Sequence, residues 1–135
     1  MRFTRITIIK SRNEADPHDI NALLQWLGGS LGLFNPRDKD KSCYRIFLTL
    51  IKDLKSKGEG LSSDELASMT GLSRGTVVHH LNRLMESGIV SMHRGRYVLR
   101  VETLEELVED IRSQVNKTFD GVNEVAKYLD RRFEL

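Results

Sequence analysis

Two adjacent histidines, His79 and His80, are the residues of this sequence best suited to metal or acid–base chemistry. Neighbouring side chains on a helix point about 100° apart, so these two imidazoles cannot bind one metal ion together. Zinc ligands on a helix need spacings such as i and i+4, and no suitable partner stands there. The sequence therefore predicts no metal and no cofactor.

Catalysis by these histidines is also disfavoured. A general base needs an orienting carboxylate and a nucleophile within hydrogen-bond distance. Nearby Ser73 and Ser87 have a simpler role at the two ends of a predicted helix. Because no convergent acid–base or metal set is found, we expect that the protein is not an enzyme.

The predicted helix from Ser73 to about Ser87 carries a row of polar and basic side chains opposite an apolar stripe. Arginine can bind guanine, asparagine can bind adenine, and hydroxyl groups can bind phosphate. His80 lies at the edge of the apolar stripe and is expected to pack. The candidate DNA contacts of this row are Ser73, Arg74, Gly75, Thr76, His79, Asn82 and Arg83. An ordinary solvated helix face is the alternative.

The segment before this helix predicts the rest of a helix-turn-helix. In LSSDELASMTG, Ser62 and Glu65 have the spacing of a capping box. Leu66 and Met69 are expected to form the buried side of the short helix, and Gly71 the turn. A short helix, a glycine-containing turn and a longer helix make the helix-turn-helix arrangement.

A β-hairpin is predicted directly after Gly88, where IVSMHRGRYVLRV reads as two short strands around Arg94-Gly95. Arg94 and Arg96 flank the tip and are candidates for contacts in the adjacent minor groove or with its phosphates. Residues 70–101 hold five arginines and a single acid. This local excess of positive charge favours phosphate binding.

The whole stretch LSSDELASMTGLSRGTVVHHLNRLMESGIVSMHRGRYVLR resembles the winged-helix DNA-binding core of ArsR- and MarR-like bacterial and archaeal regulators. The resemblance covers about residues 42–101. It implies a transcription regulator whose partner is double-stranded DNA. It does not extend to a cysteine metal box, and any small-molecule effector is unknown. The matching positions are Leu72-Ser73, Thr76-Val77, His80-Leu81 and Gly88.

The N-terminal part lies outside this resemblance. Residues 2–9 are predicted to form an edge strand. Asp16 and Pro17 predict the start of a helix that the pair Gly28-Gly29 would end. A second helix, from Ser42 to Lys57, is apolar on most of its circumference, so it belongs in the core. Its cysteine, Cys43, is expected to be buried and inert.

The C-terminal segment predicts a dimerisation helix that begins with a second capping box, Thr103 to Glu106. Apolar residues then recur at alternating steps of four and three, which is the period of a coiled-coil seam, and Thr118 and Gly121 allow a bend in the middle. The alternative is an amphipathic helix that packs on its own domain. The predicted dimerisation residues are Leu104, Val108, Ile111, Val115, Val122, Val125 and Leu129.

The expected fold is mostly α-helical with a small β wing. It comprises an N-terminal strand–helix extension (1–37), a winged helix-turn-helix domain (38–101) and a C-terminal coiled-coil-like helix (102–135). Residues 1–101 carry a net charge of +6 and residues 102–135 a net charge of −4. This asymmetry suggests that the body, and not the tail, meets a polyanion.

The predicted function is sequence-specific binding of double-stranded DNA by a homodimeric regulator. The alternative is a winged-helix module for protein–protein interaction in transcription or assembly machinery. One cysteine, and no apolar run long enough to span a membrane, indicate a cytoplasmic protein without a membrane partner.

Overall fold

The computed structural model describes residues 5–35, 37–38 and 40–135. Within these residues, helices dominate and one antiparallel hairpin follows the fourth helix. The elements, in chain order, are α1 (Ile20–Ser30), α2 (Ser42–Ser56), α3 (Ser63–Thr70), α4 (Arg74–Glu86), β1 (Val90–His93), β2 (Arg96–Leu99) and α5 (Leu104–Phe133). The predicted fold class, a winged helix-turn-helix with a long C-terminal helix, is confirmed.

The helix-turn-helix forms from local capping chemistry. Ser62 and Glu65 make the predicted capping box at the start of α3, where each side chain accepts a backbone N–H of the other residue. Gly71 ends α3 in the left-handed region with a φ of 72°. Ser73 then caps α4 by accepting the N–H of Thr76. The turn therefore allows an abrupt change of direction between the two helices.

The wing is the hairpin of β1 and β2, with Val90 opposite Leu99 and His93 opposite Arg96. Arg94 and Gly95 both have positive φ, 54° and 77°, as the tight turn of a two-residue hairpin requires. The hairpin is tied to the start of the helix-turn-helix on its other side.

That tie is a β-bridge between Leu61 and Tyr97. The N–H of Tyr97 donates to the carbonyl of Leu61 at 2.7 Å, and the N–H of Leu61 donates back at 3.0 Å. Leu61, which lies immediately before the start of α3, thus occupies the position of a third strand beside the wing.

The core lies between α2, α3 and α4, and the first turns of α5 close it. Phe47 of α2 is 1% exposed, Leu66 of α3 and Leu81 of α4 are fully buried, and Leu107 of α5 is 1% exposed. The prediction that α2 occupies the middle of the core is confirmed. Burial of these side chains supplies the main force that holds the helices together.

Cys43 is buried at the start of α2, as predicted. Its thiol donates to the carbonyl of Leu33 at 3.2 Å. Burial raises the pKa of the Cys43 thiol to about 11, against a smaller opposite effect of Arg83. The thiolate, which is the reactive form, is therefore scarce near neutral pH.

The predicted N-terminal strand is wrong for residues 5–9, which form no strand; residues 2–4 lie outside the described part of the chain. In this segment the N–H of Ile9 donates to the carbonyl of Ser30 at 2.8 Å. The β-branched composition of the segment predicted a strand. No strand in the described part of the chain pairs with this segment through backbone hydrogen bonds. Local preference alone does not produce a strand.

The predicted boundaries of α1 are also wrong. Asp19, not Asp16, is the N-cap, and the helix runs through Gly28 and Gly29 to Ser30. Gly28 is kept within the helix because the ring of Phe34 packs against it. A Cβ at Gly28 would come within 1.9 Å of that ring. The glycine is explained by this close packing and not by helix termination.

One core prediction is corrected in α3. Met69 is 61% exposed, whereas Thr70 is buried at 8%. The hydroxyl of Thr70 donates to the carbonyl of Leu66 at 2.6 Å, which satisfies the buried polar group. The last turn of α3 therefore turns its threonine, and not its methionine, toward the core.

The helix α5 has two unlike halves. Leu107 and Ile111 are buried in the core, but every residue from 116 to 135 is exposed. The helix continues without interruption through Thr118 and Gly121, where the sequence allowed a bend. At about 1.5 Å per residue it is roughly 45 Å long, so its second half projects away from the domain.

Replacement of Leu66 by alanine tests the core assignment. We expect Leu66→Ala to lower the free energy of unfolding by about 2–5 kcal/mol, because a fully buried leucine leaves a cavity. The control Met69→Ala removes an exposed apolar side chain of the same helix, and its effect should stay below about 0.5 kcal/mol. Urea denaturation measures both, and equal losses would contradict the described orientation of α3.

Candidate nucleic-acid interface

The outer side of α4 is the candidate interface. Val77, Leu81 and Leu84 bury the inner side of the helix at 0–1% exposure. The predicted contact residues are all accessible: Thr76 is partly exposed, and Ser73, Arg74, Gly75, His79, Asn82 and Arg83 are exposed. Those that lie opposite the buried side are Gly75, Thr76, His79, Asn82 and Arg83, whereas Ser73 and Arg74 stand at the N-terminus of the helix. We call these seven residues together the α4 polar face.

Arg74 stands at the first turn of α4 with its side chain 71% exposed. Its Nε lies 3.5 Å from Oδ1 of Asp64 on α3. An exposed ion pair of this kind contributes little stability and is weakened further by salt. The guanidinium of Arg74 can therefore exchange Asp64 for a phosphate at small cost.

The N-terminus of α4 is open to an approaching backbone. A Cβ built on Gly75 would meet no atom within 4 Å. The Ser73 hydroxyl donates to Oγ1 of Thr76 at 2.8 Å and accepts the Thr76 N–H at 3.2 Å. Both hydroxyl groups are exposed or partly exposed at the helix end whose dipole attracts anions.

Arg83 extends the face to the other end of the helix. It lies nine residues after Arg74, which corresponds to about 13 Å along the axis and to half a turn around it. The exposed His79 and Asn82 stand between the two arginines. Along the helix axis, the α4 polar face thus has basic groups at both ends and hydrogen-bonding groups in the middle. The distance between its ends is comparable to the width of the DNA major groove.

His80 differs from its neighbour His79 in its surroundings. The two rings are 5.3 Å apart at 64° to each other. His80 is half-buried, and its Nδ1 is buried without a hydrogen-bond partner in the described chain. Burial lowers the pKa of His80, with Asp38 acting in the opposite direction and His79 and Arg83 adding to the decrease. A neutral packing histidine fits the sequence expectation for this residue.

The two wing arginines lie in different settings. Arg94 is exposed at the hairpin tip. Arg96 instead turns back to the protein: its Nε and Nη2 donate to the carbonyl of Gly60 at 3.1 and 2.8 Å, and its Nη1 lies 3.2 Å from Oε1 of Glu65. Arg94 is therefore the available cation of the tip, whereas Arg96 anchors the wing.

Sequence reasoning did not foresee this anchor. Glu65 was assigned only to the capping box, yet it also pairs with Arg96. The hydrogen bonds with Ser62 lower the pKa of Glu65 most, with a smaller contribution from Arg96. Residues 65 and 96 are far apart in sequence, and no local pattern indicates that they meet.

The predicted dimerisation residues are divided between the two halves of α5. Ile111 is 6% exposed, and Leu104, Val108 and Val115 are partly buried. Val122, Val125 and Leu129 are 60%, 58% and 45% exposed. The first half of the stripe packs on its own domain, and the second half is uncovered.

Within residues 5–35, 37–38 and 40–135, no group of three or more histidine, cysteine, aspartate or glutamate side chains is close enough to hold a metal ion. No helix in this part of the chain is long and apolar enough to cross a membrane.

Comparison with known families agrees with this geometry. Residues 49–92, about a third of the chain, match the family described as "Bacterial regulatory protein, arsR family". The match contains all of α3 and α4 and reaches into α2 and β1. Comparison with curated proteins and with solved structures found no match. The resemblance to ArsR-type winged helix-turn-helix regulators is confirmed, and the match supports DNA-binding regulation of transcription.

The environment of His80 predicts a pH dependence of stability. Since its pKa in the folded protein lies below the ordinary value of 6.5, the unfolded chain binds the proton more readily. The stabilising contribution is therefore present above pH 6.5 and is lost as the pH falls below it. We expect His80→Gln to reduce the loss of stability between about pH 7.5 and 5.5.

Urea denaturation at both pH values measures this effect. The control His93→Gln changes an exposed histidine of the wing and should keep the original dependence. A His80→Gln variant with an unaltered pH dependence would show that burial of the imidazole does not matter to folding.

Proposed function

We propose that the protein is a homodimeric, sequence-specific transcription regulator that inserts α4 into the major groove of double-stranded DNA. The observation that carries the proposal is the exposure of the α4 polar face while the opposite side of the helix is buried. The roles assigned to Arg74, His79, Asn82 and Arg83 follow from their side-chain chemistry.

The charge of the surrounding surface supports DNA as the partner. Residues 70–101 contain five arginines and one acid, Glu86, which lies at the far end of α4. The α4 N-terminus adds exposed N–H groups and the positive end of the helix dipole. In this proposal Arg74 and the wing-tip Arg94 bind phosphates, and residues in the middle of the helix contact base edges.

A protein-docking role of α4 is less well supported. Docking helices usually present aromatic or aliphatic anchors at the centre of their interface. The large apolar side chains of α4 point into the core, and its accessible side is polar or basic. Exposed methionines occur beside it, at Met69 and Met92, but neither belongs to α4.

Arg74 gives the most direct test of DNA binding. We expect Arg74→Ala to weaken binding to duplex DNA by roughly tenfold and to reduce the slope of log affinity against log salt by about 1, because one phosphate contact is lost. Fluorescence anisotropy with duplexes enriched by in vitro selection measures both values. The control Arg112→Ala removes an equal charge from α5, and its affinity should match that of the unmodified protein. Equal effects of the two substitutions would count against α4 as the DNA-binding element.

We further propose that the second half of α5 pairs with the same segment of another copy. Large apolar side chains between 45% and 71% exposed follow one another along it: Phe119, Val122, Val125, Tyr128, Leu129 and Phe133. Most of them continue the face that Leu107 and Ile111 bury in the first half. A helix of this pattern leaves much apolar surface in water unless a partner covers it.

A second copy of the chain is the partner that the pattern favours. Steps of four and three keep the same face turned toward a neighbouring helix, and valines at one core position favour a two-stranded pair. A two-fold dimer would also place two α4 helices against successive major grooves, about 34 Å apart. The dimer thus links the C-terminal helix to recognition of a palindromic site.

The pair Val122→Glu and Asn123→Glu tests this assembly with the same added charge. Val122 lies on the uncovered apolar face, whereas Asn123 lies about 100° away on the polar side. Sedimentation equilibrium at micromolar concentration should give a dimer for the unmodified chain and for Asn123→Glu, and a monomer for Val122→Glu. A monomeric unmodified chain, or a dimeric Val122→Glu, would contradict the proposed pairing.

A further inference from the structure

A cavity of about 380 Å³ lies between the N-terminal segment and the helix-turn-helix domain. Its wall includes Arg5 and Ile6 of the N-terminal segment, Leu31 after α1, Arg83 near the end of α4, and Ile111 of α5. Neither the proposed DNA contacts nor the proposed dimer requires such a space. Its volume falls within the range of small-molecule sites.

The N-terminal wall of the cavity contacts the end of α1 and the loop that follows it. The N–H of Ile9 donates to the carbonyl of Ser30 at 2.8 Å. The side chain of Thr7 lies against Gly32, where a Cβ would come within 2.8 Å of Cβ of Thr7. Gly32 has a φ of 70°, so a larger residue would be strained there as well as obstructed.

The lining combines an apolar surface with an excess of positive charge. Ile6, Leu31, Leu33, Leu84, Ile89 and Ile111 supply the apolar side chains. Among the described lining residues, the charged groups are the guanidinium groups of Arg5 and Arg83 and the carboxylate of Glu86, which already interacts with another group of the protein. These described groups sum to a formal charge of +1.

We propose that this cavity binds a small organic carboxylate with an apolar body. Guanidinium groups bind carboxylates in a bidentate geometry that an alcohol or an amine cannot reproduce. Arg5 of the N-terminal segment and Arg83 of α4, which both line the cavity and are both exposed, bind the carboxylate. The hydrocarbon part of the ligand packs on Leu31, Ile89 and Ile111.

The position of Arg83 connects this site to the α4 polar face. Arg83 lines the cavity and also stands at the end of the row proposed to bind DNA. A carboxylate that engages its guanidinium removes it from contact with DNA, so the ligand weakens DNA binding. This regulatory consequence rests on the proposed function, whereas binding of the carboxylate does not.

Isothermal titration calorimetry of the full chain tests the site directly. The probes are hexanoate, octanoate, benzoate and phenylacetate, with hexanol and benzyl alcohol as neutral counterparts. We expect saturable binding of at least one carboxylate at one site per chain and no binding of the matching alcohol. Arg5→Gln should weaken the binding by about tenfold, because a charge-assisted hydrogen bond is lost. The control Arg12→Gln alters an exposed arginine of the same segment that does not line the cavity, and its affinity should stay unchanged.

Three results would overturn the site: no saturable binding of any probe, equal binding of alcohol and acid, or equal losses in the two arginine variants. The regulatory consequence is measured separately, as DNA affinity with and without the bound carboxylate. If the carboxylate binds but the protein shows no DNA binding at all, the proposed function fails and the site stands. If DNA binds and the carboxylate does not, the site fails alone.

Discussion

Burial of the inner side of α4 is the constraint on which the rest of the structure depends. Val77, Leu81 and Leu84 are removed from water on a helix that packs against α2, α3 and β1. Because a helix has one periodicity, fixing these three side chains also fixes the direction of every other residue of α4. The polar row is accessible for this reason, and its members need no contacts of their own to hold them in place. The site is thus a consequence of the core.

The helix-turn-helix and the wing could be predicted from the sequence because their signals are local. Ser62 with Glu65, and Arg94 with Gly95, determine the backbone within a few residues of themselves. The N-terminal segment could not be predicted in this way. Its β-branched residues suggested a strand, but strand formation depends on a partner strand, and that partner is not set by the segment's own composition.

The same distinction applies to the candidate site. The outward direction of His79 and Asn82 follows from helical periodicity, so the sequence was sufficient for it. Arg94 and Arg96 are two residues apart, and their different surroundings could not be predicted from the sequence. The carbonyl of Gly60 and the carboxylate of Glu65 come close to Arg96 only in the folded chain. The cavity beside Arg83 likewise depends on how the N-terminal segment crosses the loop after α1.

The attachment of the wing has a mechanical consequence. Backbone bonds between Leu61 and Tyr97, together with the bonds of Arg96, join the hairpin to the segment that begins α3. The hairpin tip and α4 are therefore held at a fixed distance and angle from each other. In the proposed complex, a duplex bound by both must adapt its own groove width and curvature to that spacing. Base steps that deform easily would then favour binding at positions that no side chain touches.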